Sequence, residues 1–256
     1  MTMALPISVL GDGVATIQIA TDDQPYMEES FADLLSVALR TATADRDVRV
    51  VVLIGGRRYF SAGASREALL RADPSDGVAA HVAAVPSALL DAPVPVVAAM
   101  VGHAIGGGLA LGLWCDAARL AAESLYGANF IALGFTPGMG STVALEEALG
   151  APLARDLLLS GRLVTGAEIK GAGCPLAHAV LPRDEVGRAA LQLAREMADA
   201  PRAALELLKA TLASYRHDRL AAAQARETAD HARLFGAPAV REEIARRYGA
   251  PGASFQ

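Results

Sequence analysis

A glycine-rich turn lies near the middle of this sequence. Residues 102–108 carry glycine at positions 102 and 106–108, follow the apolar run 94–100 and precede the apolar stretch 109–113. This order predicts a strand, a tight turn and a helix. Glycine brings bare backbone N–H groups close to a ligand, and a helix N-terminus adds unpaired donors and partial positive charge. The turn is therefore suited to bind negative charge.

A second loop of the same kind precedes it in the chain. Residues 60–65 read Phe-Ser-Ala-Gly-Ala-Ser and follow another strand-like run, 48–54, which is closed by Gly55 and Gly56. Backbone N–H groups converging from two such loops form an oxyanion hole, which suits a thioester carbonyl whose oxygen gains charge during reaction. For a lone glycine triplet the alternative is close helix packing. The paired loop favours the anion site.

Length and composition limit the class of protein. The chain has 256 residues, of which 53% are hydrophobic, and no run approaches the roughly 20 apolar residues of a membrane span. Residues 1–6 lack the charged and apolar regions of a signal peptide. Two distant cysteines, Cys115 and Cys174, do not form a disulfide framework. We therefore expect a cytoplasmic protein.

The charge pattern argues against several kinds of partner. The net charge is −5, and no cluster of lysine and arginine is interleaved with aromatic residues, so nucleic acid is not an expected partner. Lysine is scarce, being confined to Lys170 and Lys209. We expect neither a metal ion nor a cofactor, and no membrane partner.

Short apolar runs alternate with helical periodicity up to residue 181, which predicts an α/β core over residues 1–182. The predicted strands are residues 14–20, 48–54, 94–100, 117–122 and 178–181; the predicted helices are 29–45, 141–149 and 154–159. After residue 182 the sequence favours helices at 184–200, 201–215, 218–235 and 240–248, so residues 183–256 form a helical region. Residues 73–77 are predicted to be a mobile loop.

The two loops resemble those of the crotonase superfamily, the enoyl-CoA hydratase and isomerase fold, and the match covers most of the chain. This resemblance implies an α/β fold built as a spiral of ββα units with a C-terminal helical region. By motif position, the backbone N–H groups of Ala64 and Gly107 carry over as the oxyanion-hole donors. The resemblance also implies a homotrimer or a dimer of trimers, with the C-terminal helices at the oligomer interface.

The sequence departs from the hydratases of that family at two positions. Hydratases place one glutamate shortly after the glycine triplet and another after a Gly-x-Pro segment, whereas Ala110 and Phe130 stand here. Neither side chain can transfer a proton, and each general acid–base group is worth on the order of 10²- to 10⁴-fold. Ser65, where the family often has an acidic residue, differs as well. Hydration is therefore not expected.

Residues 126–130 and 134–140 resemble a narrower branch, the decarboxylating crotonases of polyketide β-branching cassettes. That resemblance implies removal of carbon dioxide from a 3-methylglutaconyl-type thioester, carried on the phosphopantetheine of an acyl carrier protein or on CoA, through a dienolate held by Ala64 and Gly107. An apolar pocket containing Phe130 and Phe135 would exclude water from the departing carboxylate. Tyr126 is expected to be a pocket wall, Ala110 is expected to contact substrate, and Asn129 either caps a turn or lines the pocket.

The same branch uses a histidine in its C-terminal helices and a lysine after the first oxyanion loop. His231 matches the position of the histidine; the alternative is a solvated or capping histidine. The lysine does not carry over, because none lies between Phe60 and Pro95. We expect His81 to take over part of its role in binding substrate, on sequence proximity alone.

Two other functions stay open at this point. One is a dehydratase or double-bond isomerase acting on the same β-branched acyl thioester. The other is a non-catalytic subunit that only binds an acyl thioester. The oxyanion pattern weakens the second, and the absence of glutamate at Ala110 and Phe130 weakens the first.

Overall fold

The computed structural model describes residues 4–71, 78–234 and 237–248. Its strands are β1 Ile7–Val9, β2 Val14–Gln18, β3 Val50–Ile54, β4 Tyr59–Ser61, β5 Val96–Met100, β6 His103–Ile105, β7 Ala117–Ala121, β8 Leu125–Gly127, β9 Leu163–Thr165 and β10 Val180–Leu181. Its α-helices are α1 Phe31–Ala44, α2 Arg66–Arg71, α3 Val78–Leu90, α4 Gly107–Trp114, α5 Ser141–Ser160, α6 Gly166–Gly171, α7 Arg183–Ala198, α8 Arg202–Leu234 and α9 Pro238–Tyr248. Short 3₁₀ helices span Ile131–Leu133 and Pro175–Ala179.

The larger sheet has the order β1-β2-β3-β5-β7-β10, and its strands are parallel except for the β1–β2 pair. Its central strands are apolar at every position because both faces are covered. Val50 and Val52 face one hydrophobic cluster, which includes α7 alanines, whereas Val51 and Leu53 face the main core. This alternation follows from the two-residue repeat of a strand.

A smaller sheet has the order β4-β6-β8-β9. The chain enters the larger sheet, crosses to the smaller one and then forms a helix, and it repeats this order in β3-β4-α2, β5-β6-α4 and β7-β8-α5. The α/β fold class and the ββα spiral are therefore confirmed. Because β4 and β6 are parallel neighbours, paired at Tyr59 and His103, the loops that leave them emerge side by side.

The structure corrects several predicted element bounds. Residues 201–235 were expected to form two helices, but α8 is continuous from Arg202 to Leu234. Arg216, at the expected break, donates instead to the carbonyl oxygens of Leu113 and Trp114 at the end of α4. The turn at residues 102–108 contains a strand, β6, which was not predicted. Residues 73–77 lie outside the part of the chain that the structure describes.

A buried ion pair fastens α8 to the core. Lys209, whose side chain is 2% exposed, places Nζ 2.8 Å from both Asp116 carboxylate oxygens and donates to the Leu89 carbonyl oxygen at 3.0 Å. Asp116 also accepts a hydrogen bond from the Val96 backbone N–H. The two charges are thus compensated within the protein.

Candidate active site

The two glycine-rich loops lie against one another. Gly63 has a φ of 79°, in the region that favours glycine, and a Cβ added there would lie 3.4 Å from the Gly107 nitrogen. A Cβ added to Gly108 would lie 2.2 Å from the Ser61 carbonyl oxygen. The absence of side chains at Gly63 and Gly108 therefore allows the loop that carries Ala64 to contact the start of α4.

The first loop is fixed by the segment that precedes α1. The Met27 N–H donates to the Gly63 carbonyl oxygen at 2.8 Å, and the Ala62 N–H donates to the Pro25 carbonyl oxygen at 2.8 Å. Met27 and Ala64 form a parallel β-bridge. Ser65 is buried, and its Oγ accepts from the Ala68 N–H at 3.1 Å, so it caps α2. These bonds hold Ala64 at the loop end.

Gly107 begins α4 in a defined orientation. Gly106 precedes it with φ 57° and ψ −122°, and the Gly106 N–H donates to the Gly127 carbonyl oxygen at 2.8 Å. The first N–H groups of a helix have no partner within the helix, and the helix dipole makes that end favourable for negative charge. The Gly107 N–H is therefore suited to donate to a ligand.

Apolar and weakly polar side chains surround these glycines. A Cβ on Gly107 would lie 2.7 Å from Met27 Cε and 2.9 Å from Met139 Sδ. One on Gly106 would lie 3.1 Å from Asn129 Oδ1 and 3.8 Å from Phe130 Cε1. Asn129 and Phe130 thus lie beside the N-terminus of α4, as expected for residues lining a site there.

His231 lies beside the aromatic wall of the site, which is formed by Phe130 and Phe135. The Phe130 and Phe135 ring centroids are 6.0 Å apart, those of Phe135 and His231 are 5.9 Å apart, and both pairs are edge-to-face. His231 Nε2 lies 2.5 Å from the Thr136 carbonyl oxygen. Because a carbonyl oxygen only accepts, Nε2 carries a proton in this contact. His231 therefore adjoins the aromatic wall and is oriented by the backbone.

The segment that contains Thr136 has one residue in a rare backbone conformation. Met139 has a φ of 61°, which costs about 1–2 kcal/mol for a residue with a side chain. Its carbonyl oxygen accepts from Trp114 Nε1 at 2.8 Å. The Gly140 N–H donates to Glu227 Oε2 at 2.7 Å. Contacts from α4 and α8 therefore hold Met139 beside Gly107.

Two of the predicted substrate-contacting residues lie in the packed core. Ala110 is fully buried in α4, and Tyr126 is fully buried with its hydroxyl donating to the Met100 carbonyl oxygen at 3.0 Å and accepting from the Ala121 N–H at 2.9 Å. Burial raises the pKa of the Tyr126 hydroxyl. Both residues therefore have a packing role, and their contact with substrate stays a prediction.

The remaining predicted residues are placed as follows. His81 belongs to α3, but its side chain lies outside what the structure describes.

The cysteines Cys115 and Cys174 are free. In the described ranges no group of three or more His, Cys, Asp or Glu side chains is arranged to hold a metal ion. Over those same ranges, no helix combines the length and apolarity that crossing a membrane requires.

Two glutamates, Glu28 and Glu227, contact the segments that form the site. Glu28 is exposed, with Oε2 3.4 Å from Ser65 Oγ at the first loop. Glu227 is buried, and both its oxygens accept from the segment after Met139. Sequence reasoning missed Met27, Met139 and Glu227. The spacing of Glu227 four residues before His231, on one helix face, was the available signal.

The fold, the paired loops and the α4 N-terminus define a class. The enoyl-CoA hydratase/isomerase family model matches residues 11–247, so the chain belongs to this family, the crotonase superfamily. It is 36% identical to the bacillaene synthase decarboxylase PksI of Bacillus subtilis over 92% of this chain and 94% of that protein. A probable enoyl-CoA hydratase of Rhizobium meliloti is 35% identical over 64% of this chain and 63% of that protein.

Solved structures give the same result. A chain from a dehydratase/decarboxylase enzyme couple involved in polyketide β-branching superposes with a TM-score of 0.86 at 31% identity, over 97% of this chain and 100% of that one. The ECH2 decarboxylase domain of CurF from Lyngbya majuscula gives 0.83 at 30% identity, over 95% and 98%. These relatives place the chain among the lyases of the crotonase superfamily, beside its decarboxylating members.

Proposed function

We propose that this protein decarboxylates a 3-methylglutaconyl-type thioester carried by an acyl carrier protein during polyketide β-branching. The observation that carries the proposal is the composition of the site around Gly107. Thioether and aromatic side chains surround the paired loops, and Ala110 and Phe130 stand where hydratases of the family have glutamate. The similarity to decarboxylases of polyketide synthesis supports the same reaction.

The reaction breaks the bond between the substrate's carboxylate and its carbon chain. The bonding electrons enter the conjugated system, carbon dioxide leaves, and a dienolate forms with negative charge on the thioester oxygen. In our proposal the N–H groups of Ala64 and Gly107 donate to that oxygen. One such donor is typically worth about 2.7 to 4 kcal/mol in the transition state. No carboxylate base is required for this step.

A proton must then reach carbon so that the thioester carbonyl re-forms. We assign this step to His231, which adjoins Phe135. Its Nε2–H stays bonded to the Thr136 carbonyl oxygen, so the proton that reaches carbon would come from Nδ1 of the imidazolium form, which is left as neutral imidazole. Phe130 and Phe135 would exclude water from the departing carboxylate. His81 stays the proposed partner of that carboxylate, since the lysine of the related branch is absent.

The proposal is tested with the carrier protein loaded with 3-methylglutaconyl thioester. Intact mass should fall by the mass of carbon dioxide, and His231→Ala should slow the loss at least about tenfold. Asp230→Asn, an exposed neighbour on α8, is the control and should react at the wild-type rate.

Three results would change the assignment. Loss of water from a 3-hydroxy-3-methylglutaryl thioester, without loss of carbon dioxide from either thioester, would indicate a dehydratase. Binding of both thioesters without conversion would indicate a binding subunit. An unchanged rate in His231→Ala or in His81→Ala would remove that residue from the mechanism.

We also propose that the protein is a homotrimer or a dimer of trimers assembled through its helical region. The N-terminal half of α8 exposes an apolar stripe, in which Leu207 and Tyr215 are 73% and 71% exposed. Its members are Leu207, Leu208, Leu212 and Tyr215. An exposed apolar stripe of this kind is typical of a protein–protein contact.

The division of the chain at residue 182 stays a prediction, and α7 packs on the larger sheet.

A further inference from the structure

A single turn of α8 holds both ends of the segment that carries Met139. Glu227 and His231 are four residues apart on this helix and therefore lie on the same face. His231 contacts the carbonyl oxygen of Thr136, before Met139. Glu227 accepts from the N–H of Gly140, after Met139. The segment 136–142 is thus fixed from one helix at two points.

Glu227 makes the larger set of contacts. Its Oε2 accepts from the Gly140 N–H at 2.7 Å, and its Oε1 accepts from the Thr142 N–H at 3.2 Å and the Thr142 Oγ at 2.8 Å. The residue is only 6% exposed. These N–H groups lie at the start of α5, where no helical partner exists for them. A buried carboxylate satisfies them and is favoured there by the helix dipole.

Met139, between these two contacts, is the part of the segment that reaches the proposed oxyanion hole. A Cβ on Gly107 would be 2.9 Å from Met139 Sδ, so this side chain packs directly over the first residue of α4. Its φ of 61° is held only as long as its neighbours fix it. Gly138, just before it, faces the His231 ring, with an added Cβ 2.9 Å from Cε1.

We infer that Glu227 is a positioning residue of this site. It sets the place of Met139 over Gly107 and, through the same segment, the place of the Thr136 carbonyl oxygen that orients His231. The inference rests on the proposed function only for its effect on turnover. The effect on His231 follows from the structure alone.

The side-chain amide of glutamine cannot substitute for this carboxylate. Glutamine has one acceptor oxygen, whereas the Gly140 and Thr142 N–H groups require an acceptor on each side. In either orientation its NH₂ group would face a backbone N–H. Glu227→Gln therefore removes a bond from the segment while changing the size of the side chain very little. Asp230→Asn removes the same charge from an exposed position on the same helix and serves as the matched control.

The first measurement needs no substrate. Long-range ¹H–¹⁵N spectra of the histidine side chains, with His231 identified by its loss in His231→Ala, report which nitrogen carries the proton. Wild type and Asp230→Asn should show the same signal with the proton on Nε2. In Glu227→Gln the His231 signal should shift away from its wild-type position, because the Thr136 carbonyl oxygen is displaced. Thermal melting confirms that each variant is folded.

The second measurement is turnover of the carrier-bound thioester. Glu227→Gln should lower kcat at least about tenfold with little change in KM, because displacement of reacting groups by about 1 Å costs on the order of 10²-fold. When Glu227→Gln is added to His231→Ala, the further loss of kcat should be smaller than the loss that Glu227→Gln causes in the wild-type protein, because the two residues act in one unit. Should Glu227→Gln not fold, Glu227→Asp, which keeps the charge but is shorter, must show the same two changes.

The outcomes separate the two proposals. The positioning role would be overturned by a folded Glu227→Gln variant whose His231 signal and kcat are both unchanged. The same holds for a folded Glu227→Asp variant used in its place. A lowered melting temperature with both readouts unchanged would do the same and would leave Glu227 a purely structural residue. Wild-type protein that releases no carbon dioxide would refute the proposed function, and the histidine spectra would still decide the role of Glu227.

Discussion

Replacing Gly108 by alanine tests whether close contact between the two loops places the site. The added Cβ would lie 2.2 Å from the Ser61 carbonyl oxygen and 2.7 Å from its carbonyl carbon. Both are backbone atoms of β4, so they cannot move aside as a side-chain tip can. A carbon normally approaches a carbonyl oxygen to about 3.3 Å, so β4 and α4 must separate by about 1 Å.

The size of the effect follows from this displacement. Ser61 precedes Ala64 by three residues, and Gly108 follows Gly107 directly, so the separation appears between the two proposed donors. Misplacement by about 1 Å costs on the order of 10²-fold in rate. Overpacking costs about 1–3 kcal/mol of stability, of which the better helix propensity of alanine offsets about 1 kcal/mol.

The neighbouring glycine provides the control. In Gly107→Ala the new Cβ meets Met27 Cε and Met139 Sδ, which are side-chain atoms and not backbone atoms. This variant keeps its N–H but displaces two thioether side chains, so we expect it to fold and to lose less stability and less activity than Gly108→Ala. Turnover of the carrier-bound thioester and thermal melting, measured on both variants, give the comparison.

The reasoning would be refuted by a Gly108→Ala protein with wild-type melting and wild-type turnover. It would also be refuted if Gly107→Ala were the more damaging of the two, because then side-chain crowding at the donor, and not loop separation, would control the rate.

Three further predictions follow from the fold. Lys209→Met should lower the free energy of unfolding by about 3–5 kcal/mol in urea titrations, because it leaves the Asp116 carboxylate without its buried partner. The control is Lys170→Met, at an exposed position, which should change the free energy of unfolding little. Burial raises the pKa of the Cys115 thiol to about 12, above the unfolded-state value near 9. The stability that the protonated thiol contributes is therefore complete below pH 9 and is lost as the pH rises toward 12. A Cys115→Ala variant should lose less stability over that interval. Leu208→Glu, on the exposed α8 stripe, should reduce the oligomer mass measured by light scattering, and an unchanged mass would exclude the stripe from the interface.

The central strands of the larger sheet could be predicted because they are long enough to show a pattern. Runs such as 50–54 and 96–100 are apolar throughout, which is typical of parallel strands covered on both faces. The smaller sheet could not be predicted, since β4, β6, β8 and β9 have three residues each. A three-residue strand carries too little alternation to be told from a loop.

The same distinction applies to the site. Ala64, Gly107 and His231 were named from motifs, and the structure places the first two on adjacent loops and His231 beside Phe135. Tyr126 was predicted as a pocket wall, and the sequence did not reveal that its hydroxyl bonds to Ala121 and Met100 on two other strands. Met27 and Glu227 were also missed, since their contacts join segments distant in sequence.

The amino-acid sequence alone determined that the two turns can form at their glycines and that Ala110 and Phe130 cannot do the work of the two hydratase glutamates. Backbone freedom and side-chain chemistry are local properties. Tertiary structure decided which amides meet, what surrounds them, and that α8 holds the segment around Met139. Those facts depend on parallel pairing of β4 with β6 and on packing between distant helices, which no local pattern encodes.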